Sequence, residues 1–167
     1  FLMQHTIHER SWVEIDLAAL RRNFSKARER LEPQARIVGV VKSDAYGHGM
    51  VPVARELEAL GARFLAVSEY WEGEVLREAG LKLPIIVLLG VEPHEMKSAL
   101  RHDMRPVLYR RDHADALSKT AVELRMEARF HLKVDTGMGR LGVPMEDLSD
   151  FLDHLKELPG LSMEGIL

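Results

Sequence analysis

The sequence predicts an α/β fold, a (β/α)8 barrel of the TIM type that is incomplete here, and three observations predict it. Apolar runs of strand length alternate with helical patterns six times over 167 residues, which implies right-handed crossovers and a parallel sheet. One run, Pro84-Ile85-Ile86-Val87-Leu88-Leu89-Gly90, is almost wholly apolar, as befits a strand covered on both faces. Another alternates, with Ala128, Phe130, Leu132 and Val134 on one face and Arg129, His131, Lys133 and Asp135 on the other. An open doubly wound sheet would bury that charged face under helices, whereas a barrel turns it into a lumen or towards a site at the strand ends. No Gly-x-Gly-x-x-Gly follows the first strand either. Eight strand–helix units take about 250 residues, so about six are present and the first and last strands lack neighbours.

Each element follows from its local pattern. Asp16 caps a helix whose apolar residues, Leu17, Leu20, Phe24, Ala27 and Leu31, recur every three or four positions until Pro33 stops it. Arg21, Arg22, Lys26, Arg28 and Arg30 form its solvated side. Ile37 to Val41 is the first strand, Lys42 ends it, and a short loop with two glycines follows. Val51, Ala54, Leu57 and Leu60 give a helical face ending at Gly61, and Phe64 to Val67 is the second strand. Ser68 is expected to cap a helix running to about Ala79. After the Pro84–Gly90 strand, Pro93 opens a helix with Met96, Ala99 and Leu100 on its buried side, and Pro106 to Tyr109 is the fourth strand. Asp112 opens the next helix, carrying Ala116 and Leu117. The alternating strand and the loop Thr136 to Gly142 precede a helix with Leu148, Phe151, Leu152, Leu155 and Leu158, and the last strand is Ser162 to Leu167.

Composition narrows the function. Hydrophobic residues make up 46% and charged residues 29%, ordinary values for one soluble globular domain, and a net charge of -3 suits neither nucleic acid nor an anionic membrane. There is no cysteine, so disulfides, thiolate metal sites and cysteine nucleophiles are excluded within these residues. The longest apolar run, Pro84 to Val91, falls far short of the roughly 20 residues a membrane span needs, and Phe1 to Arg10 has no apolar core of the signal-peptide type. These features fit a soluble cytoplasmic enzyme with no thiolate metal site.

The chemistry concentrates at Val40-Val41-Lys42-Ser43-Asp44-Ala45-Tyr46-Gly47-His48-Gly49, a lysine at a strand mouth followed by glycines that let the backbone approach a ligand. A lone lysine there ordinarily marks where a strand meets water. Desolvated on an apolar rim, its amine becomes a nucleophile able to form a Schiff base. Lys42-x-Asp44-Ala45-Tyr46-Gly47-His48-Gly49 resembles the pyridoxal 5'-phosphate (PLP) lysine motif of alanine racemases, with Ser43 where alanine is usual. His131-Leu132-Lys133-Val134-Asp135-Thr136-Gly137-Met138-Gly139-Arg140-Leu141-Gly142 resembles the family's other signature, although Gly-Met-Gly-Arg by itself is only a weak anion nest. With a helix beginning near Asp16 and the Glu164-Gly165-Ile166 close, the resemblance covers nearly the whole chain.

The resemblance implies a PLP-dependent isomerase, cytoplasmic and homodimeric when complete, that interconverts L-alanine and D-alanine and so supplies D-alanine for peptidoglycan. Residues 1–167 would be the N-terminal part of its PLP-binding barrel domain, the other barrel strands and a C-terminal β domain coming from the rest of the polypeptide or another chain. It implies that Lys42 carries PLP and is one of two catalytic bases, that Tyr46 helps hold the phosphate, and that Leu88 lines the cofactor pocket. Arg140 would be catalytic, beside the cofactor's phenolic oxygen and the substrate carboxylate. Lys133 matches a lysine carbamylated in many members; the plainer reading is a lumen lysine paired with Asp135. His48 and His131 read as local hydrogen-bonding residues rather than ligands. The second base, a partner-subunit tyrosine, lies outside these residues, so the chain alone is expected to be inactive. Two other readings stay open: a non-catalytic PLP-binding barrel, and a racemase-like module for another amino acid such as serine.

Overall fold

The structure is a computed structural model and describes residues 12–167; the stretch Phe1 to Arg10 lies outside the described residues. Strands β1 (Val38–Val40), β2 (Phe64–Val67), β3 (Ile85–Val87), β4 (Met104–Leu108) and β5 (Ala128–Leu132) stand side by side in sequence order. A small ribbon, β6 (Val134–Asp135) with β7 (Val143–Pro144), follows, and β8 (Leu161–Ile166) then pairs with β5 to complete a six-stranded sheet. Every pairing in that sheet is parallel. Parallel neighbours consecutive in sequence need crossovers, and helices supply them, so the sheet is six strands of a (β/α)8 barrel.

The helices are α1 (Leu17–Glu29), α3 (Met50–Ala59), α4 (Tyr70–Glu78), α5 (Met96–Arg101), α6 (Arg111–Leu124) and α7 (Leu148–Lys156), with a single turn, α2 (Lys42–Gly47), between β1 and α3. Asp16 caps α1, its side chain accepting from the N–H of Ala19 at 3.0 Å. Within the expected solvated side of α1, Arg21 donates to Glu56 of α3 at 2.6 and 2.8 Å and so ties the two helices together. The buried face of α3 is Met50, Val53, Ala54 and Leu57, shifted from the expected one because the helix begins at Met50. Glu69, not Ser68, is the cap of α4, with Glu72 closing a capping box. The fourth strand begins two residues earlier than expected, at Met104, and Arg110 rather than Asp112 caps α6.

The two faces of the sheet have different fates. Leu65, Val67, Ile85, Val87, Met104, Leu108, Phe130 and Leu132 join the main core under the helices. Ala66, Ile86 and Val107 face the other way and form a small apolar cluster with Phe64, Leu88 and Tyr109, which is the barrel lumen. His131 shares that side, its ring standing edge-on to Phe64 with centroids 5.7 Å apart. Arg105 lies there too, its Nε donating to Glu164 at 2.8 Å and a terminal N–H to Asp103 at 2.6 Å. Among the described residues no helix is long and apolar enough to cross a membrane.

Candidate active site

At the end of β1 the Val41 N–H still bonds the Ala66 carbonyl, at 2.9 Å, and Val41 is fully buried. The chain then turns the wrong way. Ser43, Asp44, Ala45 and Tyr46 all have φ between 51 and 56°, so α2 is a turn of left-handed helix where a simple glycine-rich loop was expected. Each non-glycine residue in that conformation costs about 1–2 kcal/mol, so outside contacts must hold it. Three do. The Ser43 N–H donates to Glu72 Oε1 at 2.6 Å, Asp44 Oδ1 accepts the Met50 N–H at 2.7 Å, and the Gly49 N–H reaches the Asp44 carbonyl at 3.0 Å. The His48 ring also lies 2.9 Å from the Ala45 carbonyl through Nδ1, as a local hydrogen-bonding residue should.

The second loop is organised by Asp135. Its Oδ1 accepts the N–H groups of Gly137 at 2.9 Å and Gly139 at 3.0 Å, and the amides of Gly139 and Gly137 hold its carboxyl below the usual carboxylate range. Gly142, at φ +128°, brings the chain back so closely that an added Cβ would stand 2.5 Å from the Asp135 nitrogen. Lys133 is pinned between: its N–H bonds the Leu108 carbonyl, and its carbonyl accepts from Val143. Among the described residues Lys133 has no acidic partner within 4.0 Å, so the Lys133–Asp135 pair is not made; Asp135 is turned to its loop instead.

These loops enclose a cavity of about 250 Å³ at the C-terminal ends of the strands. Lys42, Leu88, Lys133 and Arg140 all line it, beside Ser68, Asp135, Thr136 and Met138. Tyr46 is 60% exposed and is not among the lining residues. His131 lies apart, 7% exposed in the lumen, with Nε2 unpartnered among the described residues and burial pushing its pKa down. Gly165 leaves room for that ring, since a Cβ there would meet Nδ1 at 2.7 Å. Sequence reasoning missed Glu72, whose only local signal was its place three residues after Glu69 in a capping box, and missed the ribbon β6–β7 that closes the second loop.

Fold and site define a parallel α/β-barrel chain that gathers two amines and a guanidinium over the strand ends, a class suited to an anionic ligand with a reactive carbonyl. Residues 15–167 match the model of the alanine racemase N-terminal domain. The chain belongs to that family. It is similar to the alanine racemase of Syntrophobacter fumaroxidans, at 63% identity over 157 residues, covering 94% of this chain and 42% of the relative. The alanine racemase of Citrifermentans bemidjiense is 44% identical, with 92% and 41% covered. Among solved structures, that of the Clostridium difficile 630 alanine racemase superposes with a TM-score of 0.87 at 33% identity, over 96% of this chain and 42% of that one. The Bacillus anthracis alanine racemase with bound L-Ala-P gives 0.84 at 35% identity, over 93% and 40%. The chain thus spans about two-fifths of the length of the curated relatives it matches.

Proposed function

We propose that the complete polypeptide is a cytoplasmic, homodimeric, PLP-dependent alanine racemase, and that residues 1–167 are the N-terminal part of its cofactor-binding barrel. One observation carries the reading: Lys42 after β1, and Lys133 and Arg140 in the segment after β5, line a single cavity at the strand ends. Their chemistry fits PLP, an amine for its aldehyde and cations for its anionic oxygens. When bound, PLP supplies the electron sink that makes an amino acid's α-hydrogen removable.

The chain's own residues then divide the work. Lys42 would hold the cofactor through its amine and would serve as the base that exchanges a proton at the α-carbon on the face that amine occupies. Racemisation needs a second base on the opposite face, supplied by residues beyond these. Arg140 would offer its planar fork of donors to the cofactor's phenolic oxygen and to the substrate carboxylate, and so would orient both. Leu88 gives the cavity an apolar wall; a phosphate role for Tyr46 rests on its motif alone, because the residue is 60% exposed and does not line the cavity. Alanine as substrate is supported by the names of the relatives and by the L-Ala-P bound to one of them.

Borohydride reduction of the full-length protein with PLP, followed by peptide mapping, tests the assignment. The pyridoxyl group is expected on Lys42; recovery on Lys133 instead would overturn it.

A further inference from the structure

Glu72 is a buried carboxylate, 2% exposed, with no cation bonded to it among the described residues. Three backbone amides meet its charge. Oε2 accepts the N–H groups of Ser68 at 2.6 Å and Glu69 at 3.1 Å, the ordinary work of a capping box at the start of α4. Oε1 has no part in that cap. It accepts the N–H of Ser43, the residue after Lys42, at 2.6 Å. One side chain therefore joins the exits of two paired strands, β1 and β2, through the amide of Ser68, which lines the cavity, and that of Ser43, next to Lys42, which also lines it.

We propose that Glu72 is a positioning residue for Lys42, resting on the reading of Lys42 as the cofactor lysine. The peptide between Lys42 and Ser43 is where right-handed backbone gives way to the left-handed turn, and its orientation sets where the Lys42 side chain departs. A neutral acceptor would leave that peptide freer to rotate. A buried anion does not, because rotation would strip a charge of one of the few donors that compensate it. The carboxylate thus converts an unfavourable backbone turn into a fixed mount for the amine.

The test uses the full-length protein and two variants. Glu72→Gln keeps the shape but sets an NH2 group against one of the amides, and Glu72→Asp keeps the charge with a reach shorter by one carbon. Both are expected to weaken PLP binding, read from the visible absorbance of the lysine-bound cofactor, at least tenfold. They should lower kcat at least tenfold while KM for alanine changes less than threefold, and hydrogen exchange at the Ser43 amide should accelerate. Glu69→Ala disturbs the cap from its other side without touching Ser43 and should leave PLP affinity and kcat within twofold. A folded Glu72 variant with the parent's PLP affinity and kcat overturns the proposal, as does a Glu69→Ala loss equal to that of Glu72→Gln. If neither Glu72 variant folds, the parent decides: a Ser43 amide exchanging as fast as an open loop overturns the clamp, and a protected one sustains it. Borohydride labelling of the parent separates the two levels, since absence of label at Lys42 removes the functional reading, whereas a labelled parent with unaffected variants removes only the role of Glu72.

Discussion

Lys133 and Arg140 are two cations on one cavity, and the nearby carboxylate that could have answered them, Asp135, bonds its own loop through Oδ1. Carbamylation of Lys133 would place two oxygens opposite the donor fork of Arg140 and remove the repulsion. A charge-assisted bond of that kind contributes about 1.5–3 kcal/mol, so Lys133→Ala is expected to lower turnover of the full-length enzyme about tenfold or more. Acetate or another small carboxylate should restore part of it. Turnover equal to the parent's would show that Lys133 has no such part. Asp135 makes a separate prediction about pH. Its folded pKa is depressed by the amides of Gly139 and Gly137, so the ordering it gives the loop is fully present above the unfolded value of about 3.9 and is lost as pH falls through the lower folded value. Carboxyl NMR titration should place Asp135 below an ordinary aspartate, and a midpoint at or above the ordinary value contradicts the loop geometry.

At the scale of elements, periodicity was enough to place every helix and strand of the six-stranded sheet, because which face is apolar is written in adjacent positions, although β3 ends three residues before Gly90, α5 begins at Met96 rather than Pro93, and β5 stops at Leu132 rather than Asp135. Helix α1 and strand β2 stand where their patterns put them. Departures arise where a distant partner decides. The left-handed turn α2 is bonded at Ser43 by Glu72, 29 positions away, and through Asp44 to the first amide of α3. The ribbon β6–β7 depends on a loop folding back through Gly142. The Lys42 and Arg140 positions were legible as motifs, yet their sharing of one cavity with Leu88 was not, since three strand ends had to be brought together first. Backbone sense also yields a stability prediction. Arg125, exposed at the C-cap of α6, has φ 52°, where glycine carries no Cβ penalty. Arg125→Gly is expected to stabilise the chain by about 0.5–1 kcal/mol, the left-handed penalty offset partly by the looser unfolded state. A lower midpoint in denaturant would refute it.

Across the whole molecule, the six-stranded sheet leaves β1 and β8 each with one neighbour. Val38 and Val40 on β1 are 40% and 42% exposed and Ile166 on β8 is 63% exposed, so both edges present apolar side chains beside unpaired backbone groups. The 167-residue polypeptide expressed alone is therefore expected to self-associate and to show no appreciable alanine racemisation. Sedimentation and a coupled D-alanine assay check this; a cooperatively folding monomer that racemises alanine would show the architecture to be misread.

The sequence by itself determined the order of elements, the parallel barrel, and the two loops that carry Lys42 and Arg140. These follow from apolar spacing and from residue types close together in the chain, which act before any long-range contact exists. Tertiary structure alone decided the left-handed turn after Lys42, the bonding of Asp135 to its own loop rather than in an ion pair with Lys133, and the meeting of Lys42, Leu88, Lys133 and Arg140 around one cavity. Each of these depends on hydrogen bonds and packing between segments far apart in sequence, and only the folded barrel brings those segments within bonding distance.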